Sequence, residues 1–374
     1  MSFPPTSTFR RAAIGALATA LFATTVAAQE TGTRSPFSIG DYPDVAGLRI
    51  NFRDRNLGHV DGVNITIWSP YRPASGTVRG LALGVPLTGA RNVEGVMTGV
   101  LGAGVDGRFT GVGIAPIGVG AGGRMKGLLA GGVGVGTGGD LEGVALGGVG
   151  AGAGGDARGI VLGGIGAGVG GRLTGLAAGM IGVGAGGSIT GAVIGGVGAA
   201  SGGDLKGLAV GGVGVGAGGN ARGIVIGGVG AGIGGGFTGI AAGGVGVGAG
   251  GNSRGVMLGG IGAGVGGTMR GFMAGGIGVG AEELVGGAIA GIGVGARRIH
   301  GGVVTAGVLR IAEGGSFRGV SLNAAGSHIK GTQHGLVIGL VNYARRVDGL
   351  QVGLLNIIGD AKQHPVMPLV NWQD

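Results

Sequence analysis

The repeat unit of this chain is Gly143-Val-Ala-Leu-Gly-Gly-Val-Gly-Ala-Gly-Ala-Gly-Gly-Asp-Ala-Arg158, and units of this length follow one another without interruption along the middle of the chain. A glycine in the register of Gly143 stands at every sixteenth position from Gly95 to Gly271. A unit this short cannot bury a core alone, so the units must stack as a solenoid, a closed barrel or a fibre. Below, each position of the repeat takes the name of its residue in this unit.

The spacing of apolar residues predicts two short strands in each unit. Apolar residues alternate with glycine over residues 149–153, and they alternate in the opposite phase over residues 144–146. Such alternation is typical of strands with one packed face. The phase changes at the paired glycines 147–148, and a second pair lies at 154–155, so we expect two bends with positive φ there. Two strands and two bends make up one coil of a flattened β-solenoid. We predict about 18 such coils.

Side-chain sizes predict which positions fill the interior. Leu162 occurs with Ala167 and Val169, and the next unit inverts this pattern with Ala178, Val183 and Ala185. A thin core of constant volume requires such an exchange, so we expect these three positions to face one another. The Ala145 position is then expected to point outward. Its residues include Ala145, Val161, Val193, Val225, Met257 and Met273. The resulting period of two units also fits antiparallel hairpins, which stay open as an alternative.

Two membrane architectures compete with the solenoid. The stretch Gly223–Gly251 carries no charge, but each unit holds about seven glycines and has an apolar period of two, which disfavours helical spans. A transmembrane β-barrel is the closer alternative. Its strands need about 9 to 11 residues and one polar face. The repeat supplies shorter pieces, which end where the phase changes and have no polar face, so the solenoid is favoured.

Composition and the N-terminus predict an exported protein. Glycine supplies 106 and proline 10 of the 374 residues, yet the mean hydropathy is +0.52, which opposes disorder. Arg10 and Arg11 precede an apolar run from Ala12 to Val26, and small residues end it. This pattern is typical of a secretory signal peptide, with cleavage expected after Ala28. The chain has no Cys, so disulfides and a lipid-anchor cysteine are excluded.

Charges within the repeats predict a ridge along one edge. The formal net charge is +9, and without Arg10 and Arg11 the remaining 24 basic and 17 acidic residues give about +7. Within the repeats the charges fall almost only at the second bend. The candidate anion-binding residues are Arg124, Lys126, Arg158, Arg172, Lys206, Arg222, Arg254 and Arg270. The alternative is a solvated edge that keeps an apolar slab soluble. No aromatic residues are interleaved for base stacking, so nucleic acid is disfavoured as a partner.

No reaction chemistry emerges from the sequence. The five histidines follow no metal-ligand spacing, and Gly-Gly-Asp at Asp140, Asp156 and Asp204 forms no regular acidic ladder for calcium. Matches to dinucleotide fingerprints carry no weight in a chain this rich in glycine. We therefore expect no enzyme, cofactor or metal.

The C-terminal units carry a family resemblance. Gly335-Leu-Val-Ile-Gly-Leu-Val-Asn342 and Gly349-Leu-Gln-Val-Gly-Leu-Leu-Asn356 precede Pro365-Val-Met-Pro-Leu-Val-Asn-Trp372. These residues resemble the bacterial surface repeat-containing proteins first described from leptospires, with units of the form G-L-x-I-G-L-x-N. The central units depart from this motif, with Gly150 where it places Asn. The resemblance implies a secreted or outer-membrane-associated protein and supplies no active site. Gln351 falls at the Ala145 position, which favours an outward orientation there.

We thus predict a signal peptide at 1–28, irregular capping coils at 29–94, glycine-rich repeats at 95–285 and further irregular capping coils at 286–374. The expected function is that of a non-enzymatic, exported structural protein at the cell surface, self-associating through its flat faces or associated with the envelope. The alternatives are an outer-membrane barrel or pore, and a polysaccharide-binding module that uses the basic ridge.

Overall fold

The computed structural model describes residues 34–373, so the expected signal peptide lies outside the described residues. The described chain is all β, and no helix within it is long and apolar enough to span a membrane. It divides into two compact units, Met1–Ala115 and Pro116–Asp374. Both are parallel β-solenoids, with about 19 turns in total, and the 16-residue repeat is regular over most of the second unit. The solenoid prediction is confirmed. The barrel and hairpin alternatives are wrong, because every strand before the last pairs in parallel with the strand one coil away.

The first unit consists of irregular coils. Its strands are β1 (Ser35–Ile39), β2 (Val45–Asn51), β3 (His59–Thr66), β4 (Thr77–Gly84), β5 (Leu87–Ala90), β6 (Asn92–Gly99), β7 (Gly102–Val105) and β8 (Phe109–Ala115). Parallel pairing joins β1 to β2, β2 to β3, β3 to β4, β4 to β6 and β6 to β8, while β5 pairs with β7.

The interior of the first unit begins with a buried polar network around Arg49. This side chain is fully buried and forms ion pairs with Asp54 and with Asp41, the latter at 2.8 Å. It also donates to Asn64 Oδ1 at 2.9 Å and to the carbonyl of Tyr42 at 2.8 Å. Buried charges need such partners because removal from water is costly. The first coils thus combine buried apolar residues such as Val45 and Val60 with a buried ion-pair network.

The second unit alternates four-residue and seven-residue strands before the strands become longer. The short strands are β9 (Gly118–Ala121), β11 (Gly134–Thr137), β13 (Gly150–Ala153), β15 (Gly166–Val169), β17 (Gly182–Ala185), β19 (Gly198–Ser201), β21 (Gly214–Ala217), β23 (Gly230–Ile233) and β25 (Gly246–Ala249). The long strands are β10 (Met125–Gly131), β12 (Leu141–Gly147), β14 (Ala157–Gly163), β16 (Leu173–Gly179), β18 (Ile189–Gly195), β20 (Leu205–Gly211), β22 (Ala221–Gly227), β24 (Phe237–Gly243) and β26 (Ser253–Gly259). The remaining strands are β27 (Gly262–Gly275), β28 (Gly278–Ala290), β29 (Gly293–Thr305), β30 (Val308–Asn323), β31 (Gly326–Ile338), β32 (Val341–Ile358) and β33 (Val366–Gln373).

The coils stack in strict register. Gly143 pairs with Gly159 and Ala151 with Ala167, so equivalent residues form continuous ladders along the unit. Each ladder is named below after its residue in the unit 143–158. Adjacent members of a ladder lie about 4.8 Å apart, the usual spacing of paired strands.

The interior is lined by four ladders, and one part of our orientation prediction is wrong. Ala151 and Ala153 point inward as predicted, and Leu141 joins them. The Ala145 ladder, which we expected outside, is also buried: Val161 and Val193 have no exposed surface. Leu146, expected inside, is 37% exposed. Side-chain size does not decide which of the two ladders is buried, because Met273 is buried on the Ala145 ladder although its outward neighbour Ala274 is smaller.

The Val149 ladder also lies outside, although we predicted a packed position. Its Val and Ile residues from Ile117 to Ile277 are each 45–56% exposed. The chain leaves the interior at the paired glycines 147–148, so the next residue sits on the outside of the bend. The side-chain volumes still alternate inside, but Val161 rather than Leu162 complements Ala167 and Val169.

The left-handed backbone expected at the bends occurs at a different glycine. Gly143 has φ of 125°, and its counterparts along the ladder share this conformation. The bend glycines serve a different purpose, because a Cβ on Gly148 would lie 1.9 Å from the carbonyl oxygen of Gly132 in the preceding coil. The bends therefore need glycine for close approach between coils.

A swap of core volumes tests the corrected interior. Val161→Ala and Ala167→Val each disturb the packing, whereas the double variant copies the next coil, which has Ala177 and Val183. We expect the two changes in unfolding free energy to couple by about 0.5–3 kcal/mol in a double-mutant cycle. Leu162→Ala paired with Ala167→Val is the control and is expected to be additive within about 0.5 kcal/mol. Additive effects for Val161 and Ala167 would show that these side chains do not share the core.

The last coils contain buried amides, and β33 closes them by pairing antiparallel to β32. Asn342 donates to Asn356 Oδ1 at 2.9 Å, and Gln351 donates to Gln333 Oε1 at 3.0 Å. Gln351 is fully buried, so the outward orientation expected for it is wrong. Because the amides bond to one another along the stack, they can occupy interior slots that small apolar residues fill elsewhere.

Candidate functional site

The predicted basic ridge resolves into two ladders of the second unit. Lys126, Arg158, Lys206, Arg222, Arg254 and Arg270 lie on the Arg158 ladder, on the outward side of the long strands. Arg124 and Arg172 lie two positions earlier in the repeat, on the Asp156 ladder at the bend. The sequence prediction placed all eight residues at the second bend, but only Arg124 and Arg172 lie there, and the other six lie on the long strands.

Neighbouring acids neutralise only the start of the ridge. Arg124 pairs with Asp140 at 3.1 Å, and Lys126 pairs with Glu142 at 3.4 Å. All four side chains are well exposed, and such pairs contribute little to stability. Farther along, within the part of the chain that the structure describes, the basic residues of the Arg158 ladder from Arg158 to Arg270 form no ion pair.

These unpaired cations stand in direct succession. Lys206 pairs in register with Arg222, and Arg254 pairs with Arg270. From Arg158 to Arg270 the other ladder members are Thr174, Thr190 and Thr238. Like charges directly opposite on neighbouring strands repel. An external anion would relieve this repulsion.

The Asp156 ladder has a structural role that the sequence reading missed. The carboxylate Oδ1 of Asp140 accepts a hydrogen bond from the backbone N–H of Asp156 at 3.0 Å, one coil further on. Asp204 accepts from the N–H of Asn220 at 2.8 Å, and Asn220 and Asn252 repeat the contact. The hydrogen bond from Asp156, together with Arg124, holds the pKa of the Asp140 carboxyl below its usual range. Short acceptors recur here because they satisfy the bend amides of the next coil.

Three aliphatic ladders cover the rest of the long-strand side. The Val144 and Leu146 ladders occupy the outward positions after the Arg158 ladder, and the Val149 ladder continues them onto the bend. Ile240 is 47% exposed on the first, Ile194 is 45% exposed on the second and Ile181 is 56% exposed on the third. A contiguous apolar surface of this kind marks an interaction site. Hereafter the "long-strand face" means these three ladders together with the Arg158 ladder.

The opposite side is a bare sheet of glycine, here called the "glycine face", made of the Gly150 and Gly152 ladders over β9 to β29. At eight positions of the Gly152 ladder a Cβ would meet no atom within 4 Å, and none has a positive φ. These open positions are Gly136, Gly168, Gly184, Gly216, Gly232, Gly248, Gly264 and Gly295. Ala200 stands on the same ladder and is exposed, so a methyl group fits. The fold of the isolated chain therefore does not require glycine there.

Two of the histidines, His300 and His334, lie on the C-terminal continuation of the Arg158 ladder. His334 Nδ1 lies 2.7 Å from Asp348 Oδ2, and the His328 ring stacks on Tyr343 with centroids 5.0 Å apart. Within residues 34–373 no group of three His, Cys, Asp or Glu side chains could hold a metal ion.

Comparison of this chain with protein-family models, with curated proteins and with solved structures finds no match. The resemblance to surface repeat-containing proteins stays a prediction from the C-terminal residues.

Proposed function

We propose that this chain is a non-enzymatic structural protein that is exported to the cell surface and associates with copies of itself through the glycine face. The observation that carries the proposal is the set of open glycines on the Gly152 ladder. Glycine in a strand costs about 0.5–1 kcal/mol relative to alanine, so eight open positions cost about 4–8 kcal/mol of folding stability. Contact of the glycine face with another molecule, which needs the face to stay free of side chains, accounts for this cost.

A second copy of the same face fits the requirement. Side chains usually hold packed sheets about 10 Å apart, whereas two glycine faces can approach until their backbones touch. The glycine face carries no charge, so two copies meet without repulsion. A self-complementary face of this kind suits a two-fold symmetric dimer.

The available area is sufficient for a stable pair. Twelve strands at about 4.8 Å and four residues at about 3.3 Å give a face of about 55 by 13 Å. A dimer would thus bury about 1,400 Å² in total, within the range of about 1,200–2,000 Å² for specific interfaces.

Oligomeric state tests this proposal. We expect the exported chain, residues 29–374, to be dimeric or larger in sedimentation equilibrium, and Gly184→Val/Gly216→Val/Gly248→Val to be monomeric with an unchanged β spectrum. Each new side chain starts in open space, so the fold is retained while the faces are held apart.

The matched control enlarges three side chains on the long-strand face instead. Ala178→Val/Ala242→Val/Ala274→Val places valine on the Leu146 ladder, where Val210 already stands. This variant should keep the wild-type oligomeric state. A monomeric wild-type chain, or a glycine-face variant that still associates, would contradict the proposal.

Export is supported by the sequence from Met1 to Ala28, with its two arginines, apolar run and small residues at the end. Fractionation of the native host should place the chain outside the cytoplasm, shortened by the segment that ends at Ala28. Full-length protein in the cytoplasm would contradict export and leave self-association to the sedimentation result.

A further inference from the structure

We propose that the long-strand face of the second unit binds the surface of an anionic lipid bilayer. The aliphatic ladders would enter the boundary of the acyl chains, and the cations of the Arg158 ladder would meet the lipid phosphates. This inference concerns a different face from the one proposed for self-association and does not depend on it.

The first argument is the order of the ladders across the face. On each long strand the basic position, the Val144 position and the Leu146 position alternate with inward residues, so they follow one another about 7 Å apart on the outward side. In the coil of Arg222 these positions hold Arg222, Ile224 and Ile226, and Val229 follows on the bend. Charge therefore stands along one edge of the face and aliphatic surface fills the remainder. Segregation of this kind is typical of elements that lie in a membrane interface.

The second argument is charge complementarity. Five basic residues, Arg158, Lys206, Arg222, Arg254 and Arg270, follow one another along eight coils, or about 34 Å, with only threonine between them. On the same ladder the acid beside Arg158 is Glu142, which pairs with Lys126. On the Asp156 ladder Asp156 and Asp204 accept hydrogen bonds from backbone amides at the bend. The exposed edge of the face is thus cationic, and it matches a row of anionic headgroups.

The aliphatic surface is also grooved, and the groove fits lipid acyl chains. From Ile226 to Ile289 the Leu146 ladder alternates large and small residues, so a shallow groove opens over Ala242 and Ala274 between Ile226, Leu258 and Ile289. Large neighbours two coils apart have backbones about 9.6 Å apart, and the small residue between them leaves a notch along which an acyl chain can lie. A soluble anionic polysaccharide would bind the basic residues but would leave this grooved apolar surface exposed to water.

Co-sedimentation with vesicles tests the proposal. The purified chain, residues 29–374, is mixed with vesicles of phosphatidylcholine alone or of phosphatidylcholine with phosphatidylglycerol. We expect binding to the anionic vesicles that weakens as salt is raised, and much weaker binding to the neutral ones. Absence of binding to the anionic vesicles, or equal binding to both, would overturn the proposal.

Two variants separate the roles of charge and aliphatic surface. Arg254→Thr/Arg270→Thr uses the residue that the ladder already holds at Thr238, and it should weaken partitioning to anionic vesicles about twentyfold. Ile226→Ala/Leu258→Ala copies Ala242 on the same ladder and should weaken binding to a similar extent because less apolar surface is buried. Circular dichroism confirms that both variants are folded.

A charge-matched control excludes a general effect of net charge. Arg91→Thr/Arg108→Thr removes two exposed cations from the first unit and should change partitioning less than about threefold, by screened long-range attraction alone. An equal loss in this control would overturn the assignment to the Arg158 ladder. If dextran sulfate binds as tightly as the vesicles and Ile226→Ala/Leu258→Ala has no effect, the face binds anionic polymers and the lipid proposal is wrong.

Discussion

Gly191→Ala is expected to destabilise the second unit by more than about 4 kcal/mol, an exceptional cost for one methyl group. Gly191 has φ of 130°, which alanine adopts only under strain. The new Cβ would also lie 2.0 Å from the carbonyl oxygen of Gly175 in the preceding coil. This contact is with backbone, so relief requires the coils to separate and their hydrogen bonds to lengthen.

The control for this substitution lies on the neighbouring short strand. Gly184→Ala adds the same methyl group in open space and should stabilise the chain by about 0.4–1 kcal/mol, since it lowers the entropy of the unfolded state. Native-state hydrogen exchange of amides in β16, β18 and β20 measures both effects locally, which suits a repeat array whose coils can open separately. Similar exchange rates in the two variants would show that the Gly143 ladder does not hold the coils at this distance.

Phe237→Ala is the second large effect, expected at about 3–5 kcal/mol. Phe237 is 1% exposed on the Leu141 ladder, and its partners in the adjacent coils are the small residues Ala221 and Ser253. Truncation would leave three small side chains in succession, and the backbone ladders on both sides prevent the coils from closing the cavity. Phe237→Leu should recover more than half of the loss, because leucine already fills this ladder at Leu205.

The matched control is on the same strand. Ile240→Ala removes an aliphatic side chain that is 47% exposed, so the expected cost is below about 1 kcal/mol. Hydrogen exchange of the backbone amides in β22, β24 and β26 measures the loss of stability in both variants. Equal losses would mean that the Leu141 ladder is no more buried than the Val144 ladder.

The coil could be predicted correctly from the sequence because the evidence for it is a spacing of residues that repeats along the chain. Equivalent glycines at every sixteenth position fix the stacking, and alternation around Ala151 fixes the short strand. The inward side of the long strand could not be predicted in the same way. Ala145 and Leu146 are both apolar, so composition does not decide which of them faces inward, and the path of the backbone in the assembled coil does.

The surfaces were predicted in part. Most basic residues from Lys126 to Arg270 lie on the long strands rather than at the bend where we expected them, and the aliphatic ladders beside them were assigned to the core. The role of Asp140 was also missed, because its partner is a backbone amide one coil away. An Asp, Asn or Ser at a fixed position of a repeat bend is the signal that could have revealed it. The buried network of Arg49 has no such signal, since it depends on groups from several irregular coils.

The alternation of core volumes sets the step by which the length of this protein can change. Coils of one length that contact only their neighbours allow whole coils to be lost or gained without disturbing the stacking register. Loss of residues 175–206 would place the coil of Val161 and Ala167 against that of Ala209 and Val215, and large would still meet small. Loss of residues 175–190 would instead set Val161 against Val193, and two coils of the same shape would be in contact. Natural variants of this chain should therefore differ in length by even numbers of coils.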